Sequence, residues 1–413
     1  MGPATPPPDT SSPPLGGPDR GAAPGGGPDH GHSQLRDPDH ARPHRARSLT
    51  VVFAPDSFKG SLTSVQVARA LATGWQRARP QDEIVLAPLA DGGEGTLVAI
   101  EAAGGWEWQE AEAHDPIGRP IRARWLRSSD GERAAVELAA ASGLSRLSPA
   151  ERDPLGASTR GTGEVLRAAL DAGVRRIVLG IGGSATTDGG AGILEALGAR
   201  ITPDHVELDG LDGRLATTDL RIACDVTNPL LGPDGAAATY GPQKGASPEH
   251  VAELDSRLAR YADALETAVG RRERDTAGAG AAGGTGFGLL ALRDCFRSVE
   301  LVPGVDLVME ETGLDAKLAR ADLVITGEGR IDAQTAFGKT ALGVARRAAA
   351  AGVPSIAVGG GVTEEGIAAL ATVGTVVVPV VDRPQTVEEA MAAGVAPIER
   401  CGERIARLIG LVP

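Results

Sequence analysis

The sequence predicts an α/β fold with a largely parallel sheet, and two observations carry that prediction. Strand-like apolar runs alternate with helix-like segments along most of the chain. Many of the intervening turns are rich in glycine and polar residues, as in "RRIVLGIGGSATTDGGAGILEALGAR". Such alternation is typical of parallel strands that are connected through helices. The length of 413 residues allows two or three ordinary domains.

The first predicted strand and helix carry the clearest signals. Residues 49–54 form an apolar run that ends at Pro55. Thr63 and Gln66 then fit a capping box, which marks the start of a helix. Apolar residues at helical spacing follow on one face: Val65, Ala68, Leu71, Ala72 and Trp75. Further strands are predicted at 134–138, 175–181, 220–225, 322–326, 355–359 and 374–381, and helices at 162–172, 249–269, 340–351 and 386–393.

Residues 1–47 differ in composition from the rest of the chain. Nineteen of these 47 residues are Pro or Gly, and four of the chain's 7 histidines lie among them. Besides Met1, the only large aliphatic residues of this segment are Leu15 and Leu35. Because burying so little apolar surface cannot offset the conformational entropy lost on ordering, we predict a disordered tail. A loose histidine-rich metal-binding tract is the alternative interpretation.

Charge and cysteine content narrow the function classes. The formal net charge is −13 and the acidic residues are dispersed. This charge argues against a protein that binds nucleic acid or anionic membranes non-specifically. Cys224, Cys295 and Cys401 are far apart, which suits a reducing compartment. The chain also lacks a run of eighteen apolar residues and the apolar core of a signal peptide. We therefore predict a cytoplasmic protein without a nucleic-acid or membrane partner.

The most informative motif is "GIGGSATTDGGAG", residues 180–192, which stands between a predicted strand and a predicted helix. A glycine-rich turn that leads into a helix presents unpaired N–H groups, and the helix dipole also favours an anion there. Ser184, Thr186 and Thr187 add hydroxyl groups, and Asp188 adds a carboxylate. The motif predicts a cradle for a phosphate or a carboxylate. A tight turn that merely lets the helix pack on the sheet is the alternative.

Two other glycine-containing segments resemble nucleotide-binding motifs but lack the required context. "GAGAAG" (278–283) has the spacing of a dinucleotide fingerprint, yet it follows the polar "RRERDTA" instead of a strand. "AFGKT" (336–340) resembles the end of a P-loop, but Ala333 stands where the first glycine is required. The first is interpreted as a glycine-rich loop near a ligand or at the surface. In the second, Lys339 either reaches a phosphate or is solvated.

Four more turns each follow an apolar strand and carry charge. They are residues 54–61, 88–96, 223–232 and 324–334. Because ligands of open α/β sheets bind beyond the carboxyl ends of the strands, we expect the four turns to converge on one cleft. Any single carboxylate of this kind is more often a cap or a turn former. The candidate residues are Asp56, Lys59, Asp91, Glu94, Asp225, Asn228, Glu328, Arg330 and Asp332.

The side chains available for chemistry favour phosphoryl transfer. Outside the tail the only histidines are His114, His205 and His250, and none has the spacing of a metal ligand. No G-x-S-x-G motif is present, which argues against a Ser-His-Asp hydrolase. Carboxylates, lysines, arginines and backbone donors remain. Phosphoryl transfer needs such positioning and neutralising groups, often with Mg²⁺.

Nine segments, taken in order, resemble the bacterial type-I glycerate kinases from about Val51 to the C-terminus. They are "APDSFKGSLTS", "ADGGEGT", "ELAAASGL", "RDPLGASTRGTGE", "GIGGSATTDGGAG", "CDVTNPLLGPDGAA", "YGPQKGAS", "GAGAAGGTGFG" and "DLVITGEGRIDAQTAFGKT". The resemblance implies that ATP phosphorylates D-glycerate, to 2-phosphoglycerate or to 3-phosphoglycerate. It implies a Rossmann-like parallel-sheet domain built from both chain ends (48–88 plus 298–413), with a second α/β domain (89–297) inserted. The segment 201–215 is shorter here than in the family.

The resemblance leads to a set of expected roles. Lys59 is expected to neutralise a phosphate or the substrate carboxylate, and Arg330 to clamp one of these groups. Asp188 or Asp332 is expected to take the hydroxyl proton or to hold Mg²⁺. The loops 182–192 and 280–288 are expected to cradle the nucleotide phosphates. The remaining expected binding residues are Ser57, Gly182, Gly183, Ser184, Thr186, Gly283, Gly284 and Thr285, together with the candidates of the four turns and Lys339.

Two rival functions stay open at this point. One is a sugar-acid sensor that keeps the cleft without catalysis, and the other is a kinase of a related hydroxy acid. The retention of Lys59, Asp188, Arg330 and Asp332 argues against the sensor. Whether the chain forms a homo-oligomer is also left open.

Overall fold

Two large sheets carry the fold of the computed structural model, which describes residues 47–202, 204–337 and 340–411. Apart from Arg47, the predicted tail lies outside the described residues, and so do Gly338 and Lys339. From Arg47 onward the described chain belongs to one compact unit. The division into a discontinuous domain and an inserted domain therefore stays a prediction.

The bounds of the regular elements follow the chain. The strands are β1 (Thr50–Pro55), β2 (Glu83–Leu86), β3 (Trp106–His114), β4 (Pro120–Ser128), β5 (Arg133–Glu137), β6 (Arg176–Gly180), β7 (Arg200–Thr202), β8 (His205–Glu207), β9 (Asp219–Ala223), β10 (Ser298–Val302), β11 (Leu323–Ile331), β12 (Ser355–Val362) and β13 (Val376–Pro379). The α-helices are α1 (Ser64–Ala78), α2 (Thr96–Ala102), α3 (Ala139–Ser142), α4 (Arg160–Asp171), α5 (Ala191–Ala196), α6 (Ala236–Tyr240), α7 (Pro248–Val269), α8 (Ala281–Ala291), α9 (Gly304–Glu311), α10 (Leu314–Leu318), α11 (Thr340–Ala350), α12 (Glu364–Ala371), α13 (Val387–Ala392) and α14 (Ala396–Ile409).

The first sheet is parallel throughout, and β1 lies between the central strand β11 and the edge strand β2. Among the described residues its strand order is β13-β12-β11-β1-β2. Val51 and Phe53 of β1 pack with α1 and α14, whereas Val52 and Ala54 pack with α9 and α11. Successive side chains of a strand point to opposite faces, so helices cover both faces of this sheet. Burial on both faces explains why the strand is an unbroken apolar run.

The second sheet has the order β10-β9-β6-β5-β4-β3 in the described part of the chain. Its strands from β10 to β5 are parallel, whereas β4 pairs antiparallel with both β5 and β3. Leu126 of β4 and Ala135 of β5 belong to the same apolar cluster as Val52 of the first sheet and Met309 of α9. This shared core holds the two sheets against each other.

Most of the predicted elements are present, with small differences at their ends. The capping box of Thr63 and Gln66 is confirmed at the start of α1. The antiparallel hairpin of β3 and β4 was not predicted. Residues 201–215 contain part of the short antiparallel pair β7-β8. No helix among the described residues is long and apolar enough to span a membrane.

Candidate functional site

A cleft lies beyond the carboxyl ends of the parallel strands of both sheets, and it consists of two adjoining chambers. The large chamber has a volume of about 1310 Å³ and is lined by residues that follow β1, β11 and β12. The small chamber has a volume of about 790 Å³ and is lined by residues that follow β1, β6 and β9. Residues of all four charged turns line these chambers, so the predicted convergence on one cleft is confirmed.

The wall that the two chambers share carries Asp56, Lys59, Asp91 and Asp225. Lys59 Nζ lies 2.9 Å from Asp91 Oδ2 in an exposed ion pair. Asp56 accepts a hydrogen bond of 2.6 Å from the Thr340 hydroxyl. Asp225 Oδ1 accepts one of 2.8 Å from the backbone N–H of Gly304, which begins α9. Three carboxylates therefore share one lysine at the junction of the chambers.

Burial and mutual repulsion shift the pKa values of these carboxylates. Burial raises the pKa of Asp56, and the negative charge of Asp91 adds to that rise. Burial likewise raises the pKa of Asp225, with Asp91 and Asp306 adding to it. Burial also acts to raise the pKa of Asp91, but the hydrogen bond and charge of Lys59 bring it below its ordinary value. The hydrogen bond to Asp91 in turn raises the pKa of Lys59. Titratable groups perturbed in this way are typical of functional sites.

The large chamber combines an apolar wall with basic side chains. Phe58, Val380, Met391 and Ile398 supply apolar surface. Arg330, Arg346 and Arg347 supply positive charge, and buried Glu328 lines the same chamber. Arg347 is paired with Asp306 and Asp315, and Arg330 lies 3.2 Å from Asp332. Arg346 is exposed and has no ion pair with any described residue. An apolar surface beside available guanidinium groups can hold a ligand that has a flat base and several negative charges.

The glycine-rich loop after β6 lines the small chamber with Gly182, Gly183 and Ser184. Its backbone packs directly on the turn that follows Asp91. A Cβ atom on Gly182 would lie 2.7 Å from the Cα atom of Gly93, so only glycine permits this approach. Exposed Glu94 lies in the same turn and also lines the small chamber. The loop and the turn thus form one continuous backbone surface inside the chamber.

The backbone N–H groups of Gly182, Gly183 and Ser184 have no acceptor among the described residues. Gly183 has a left-handed backbone conformation with φ of 74°. Consecutive N–H groups around such a residue form a concavity that binds anions. The structure therefore gives the sequence-predicted cradle a set of available donors at these three residues.

Lys244 lies directly behind the cradle and was not among the predicted site residues. It is only 2% exposed, and its Nζ donates to Ser184 Oγ at 2.9 Å and to the Thr186 carbonyl at 2.6 Å. Burial lowers the pKa of Lys244 to about 7, although the charge of Asp188 opposes that shift. The sequence signal was a single lysine in "YGPQKGAS", which looks like any surface lysine because no periodic pattern surrounds it.

Glu137 at the end of β5 was also absent from the predicted site. Its carboxylate accepts a hydrogen bond of 2.8 Å from the backbone N–H of Leu97, near the start of α2. Burial raises the pKa of Glu137 to about 7, and the charge of Glu94 adds to the rise. Glu137 therefore holds the turn that carries Asp91 and Glu94 in place.

Asp188 does not line either chamber. Its two carboxylate oxygens accept hydrogen bonds from Thr159, through both N–H and hydroxyl, and from the N–H groups of Gly190 and Gly192. These donors lie at the starts of α4 and α5, so the carboxylate ties the two helices together. The geometry supports a structural role for Asp188, and it does not bring this residue to Lys59.

Other predicted residues also lie outside the chamber walls. Gly283 and Gly284 are buried against the 186–189 backbone, where a Cβ atom on Gly283 would lie 1.9 Å from the Thr186 carbonyl oxygen. Thr285 donates to the Ala282 carbonyl. The loop 280–288 therefore packs against the glycine-rich loop after β6, and Ala281 and Ala282 are its members on the chamber wall.

Two further predicted residues, Asn228 and Asp332, organise neighbouring turns. Asn228 donates to the Asp234 carbonyl and accepts from the Tyr240 hydroxyl. Asp332 caps the turn after β11 by accepting from the N–H of Gln334. Thr335 of that turn donates to Glu328 at 2.7 Å. Lys339 lies outside the described residues. In the described ranges, no group of three or more His, Cys, Asp or Glu side chains is arranged to hold a metal ion.

Comparisons with known proteins agree on one family. The protein-family sequence model described as "Glycerate kinase family" matches residues 51–410 of this chain. Glycerate kinase of Halalkalibacterium halodurans is 42% identical over 380 residues, which cover 86% of this chain and 97% of the relative. Glycerate 2-kinase of Escherichia coli is 42% identical over 333 residues, which cover 77% of this chain and 86% of the relative. A crystal structure assigned as glycerate kinase 2 from Salmonella typhimurium LT2 has a TM-score of 0.77 and 40% identity, with 88% of this chain and 98% of that chain covered.

Proposed function

The chain belongs to the glycerate kinase family, and from that premise we propose that it transfers the γ-phosphoryl group of ATP to a hydroxyl of D-glycerate. Membership of this family makes ATP the co-substrate. The observation that carries the proposal is the junction of the two chambers, where Lys59 and three carboxylates face both cavities. Two ligands bound in adjoining chambers can meet at such a junction, which is what a direct transfer between them needs.

We assign ATP to the large chamber. Its apolar wall of Phe58, Val380, Met391 and Ile398 suits the adenine ring, and Arg330 and Arg346 can neutralise phosphates. Glycerate is the smaller and more polar substrate, and it is assigned to the small chamber. The sequence-based expectation was that both glycine-rich loops, 182–192 and 280–288, hold the nucleotide phosphates. The assignment proposed here differs, because most of the 280–288 loop is buried against neighbouring backbone and does not face a chamber.

In the proposed reaction, a hydroxyl oxygen of glycerate attacks the γ-phosphorus while the bond to the bridging oxygen of ADP breaks. Lys59 neutralises charge on the transferred group. Asp225 accepts the hydroxyl proton, because its Oδ1 is held by the Gly304 N–H while no hydrogen-bond donor among the described residues engages its Oδ2. Its raised pKa also makes it a better base than an ordinary aspartate.

The donor set at the junction fits a magnesium ion that arrives with ATP. Mg²⁺ is commonly bound by one or two carboxylates, several waters and substrate phosphates. Asp56, Asp91 and Asp225 carry more negative charge than Lys59 balances. Asp56 and Asp91 are the residues that would hold the ion, which would neutralise charge on the phosphates when bound. Asp188 and Asp332, expected from sequence to share the catalytic work, are proposed instead to order the loops around the cleft.

An assay of ADP release with Mg-ATP tests this function. We expect release to depend on D-glycerate and to saturate with it. If ADP release is absent but calorimetry detects glycerate binding, the protein is a sensor and the kinase proposal is wrong. If neither turnover nor binding is found, the acceptor is another hydroxy acid. We favour 2-phosphoglycerate as the product, since the relative from Escherichia coli is named a glycerate 2-kinase.

A further inference from the structure

The hydroxyl of Ser184 has an unusual position in the hydrogen-bond network of the small chamber. When Lys244 is protonated its ammonium group carries only hydrogens, so in the 2.9 Å contact with Lys244 Nζ the Ser184 Oγ is then the acceptor. The hydrogen of the Ser184 hydroxyl is then available, and no acceptor for it exists among the described residues. Ser184 is 6% exposed and lines the small chamber. A buried donor without a partner at a cavity wall points to a ligand that accepts.

The backbone adds donors at the same place. The N–H groups of residues 182–184 lack acceptors in the described part of the chain. Four neutral donors are therefore grouped on consecutive residues of the small chamber's wall, with the amine of Lys244 directly behind them. A carboxylate has two oxygens that can accept several hydrogen bonds at once, and bonds to an ionised acceptor are roughly twice as strong as neutral ones.

Acidic side chains of the same chamber repel a carboxylate. Asp91, Glu94 and Asp225 line it, with Lys59 paired to Asp91. A hydroxy acid bound in this field is oriented, because its carboxylate is attracted to the donors of residues 182–184 whereas its hydroxyl groups can donate to the acidic side chains. This orientation brings a hydroxyl, and not the carboxylate, to the junction with the large chamber.

We propose that residues 182–184, with Lys244 behind them, form the carboxylate subsite for the acceptor substrate, and that Lys244 makes the site selective for a hydroxy acid over an uncharged polyol. Lys244 acts through Ser184 and through its charge, so it is a positioning residue. This inference rests on the proposed function. The same donors suit a phosphate of ATP, and the experiment below separates the two anions by asking which substrate loses affinity.

The test compares Lys244→Met with the matched control Lys317→Met. Lys317 is half-buried, donates to two backbone carbonyls, and has a pKa that burial lowers to about 8, but it lies on α10 and lines neither chamber. For Lys244→Met we expect the KM for D-glycerate to rise ~10- to 100-fold, because the positive charge behind the carboxylate is lost. The KM for ATP and the kcat at saturating glycerate should change by less than about twofold. Lys317→Met should leave all three constants unchanged.

Selectivity gives a readout that a merely structural role would not move. D-glyceramide has the same hydroxyl groups as D-glycerate but no charge. The kcat/KM ratio of D-glycerate to D-glyceramide should fall ~10- to 100-fold in Lys244→Met because only the acid loses affinity. An unchanged ratio, or a rise in the KM for ATP instead of glycerate, overturns the carboxylate assignment while the kinase function stands.

Ser184→Ala keeps the proposal testable if Lys244→Met does not fold. It removes the available hydroxyl and leaves the lysine its bond to the Thr186 carbonyl. We expect the same selective rise in the KM for D-glycerate, ~3- to 10-fold for one neutral donor. A wild-type enzyme that releases no ADP with D-glycerate overturns the proposed function itself. In that case calorimetry with D-glycerate alone decides the subsite, since binding that is ~3- to 10-fold weaker in Ser184→Ala than in the wild type supports it, whereas equal binding or no binding to either protein overturns it.

Discussion

Lys59 Nζ lies 2.9 Å from Asp91 Oδ2, and this ion pair stands on the wall that the large and small chambers share. The Lys59 side chain is 77% exposed. An exposed ion pair contributes little to stability, at most about 1 kcal/mol. Its position between two cavities is therefore better explained by chemistry than by folding.

Lys59→Met should abolish most of the turnover without unfolding the protein. Loss of a preorganised charge near the transferred group lowers kcat ~10²- to 10³-fold in comparable sites. Thermal melting should stay within about 2 °C of the wild type, because the ion pair is exposed. Steady-state ADP release and a melting curve measure the two effects. A variant with wild-type kcat would remove Lys59 from the mechanism.

Asp225→Asn and Asp188→Asn should separate catalysis from structure. Asp225 is proposed to take the hydroxyl proton, so its amide should lower kcat ~10²- to 10⁴-fold. Asp188 accepts four hydrogen bonds that tie α4 to α5. Its amide should destabilise the fold by about 1–3 kcal/mol. Urea unfolding and ADP release on both variants provide the comparison, and a folded, stable but inactive Asp188→Asn would return Asp188 to the list of catalytic candidates.

The stability contribution of Lys244 should depend on pH in a defined direction. Burial lowers its folded-state pKa from the ordinary 10.5 to about 7. Between these values the unfolded chain holds a proton that the folded chain lacks, so the free energy of unfolding rises with pH across this window. Below pH 7 both states are protonated and the cost of the buried charge is fully present. Urea unfolding at pH 7 and pH 9.5 should therefore show wild type gaining stability relative to Lys244→Met. Equal gains in the two proteins would contradict the lowered pKa.

Gly283→Ala should be much more damaging than Gly173→Ala. Both glycines have a left-handed backbone, with φ of 70° at Gly283 and 87° at Gly173. A Cβ atom on Gly173 would meet no heavy atom within 4 Å, whereas one on Gly283 would lie 1.9 Å from the Thr186 carbonyl oxygen. The backbone strain alone costs about 1–2 kcal/mol. Gly283→Ala should cost at least about 2 kcal/mol more, by urea unfolding. Equal losses would mean that the two glycine-rich loops do not pack as described.

Much of the fold follows from patterns within single segments. The capping box at Thr63 and Gln66 and the apolar run of β1 are local signals, and both elements form where the sequence predicts them. The hairpin of β3 and β4 carries a signal too, since Ile121, Ala123 and Trp125 alternate with arginines. The sequence-based prediction nevertheless included no strand there. The antiparallel pairing at the edge of the second sheet is thus determined mainly by tertiary packing, and the local sequence indicates it only weakly.

The candidate site was predictable where function depends on strand ends, and less so where it depends on long-range contacts. Asp56, Lys59, Asp91 and Asp225 converge because parallel strands place their following turns at one edge. Lys244 reaches the cradle from a turn 60 residues away from Ser184 in sequence, and nothing local marks that contact. Asp188 fits a catalytic pattern in sequence, but four donors occupy its carboxylate in the structure.

The central claim, phosphoryl transfer from ATP to a hydroxyl of D-glycerate, is tested most directly by ³¹P NMR of a reaction mixture with Mg-ATP. We predict the signals of ADP and one new phosphomonoester, which forms only when D-glycerate is present. Coupling to a single proton, giving a doublet, identifies phosphorylation at the C2 hydroxyl, and a triplet identifies the C3 hydroxyl. A spectrum with ADP and inorganic phosphate but no phosphomonoester, or with unreacted ATP alone, would contradict the claim.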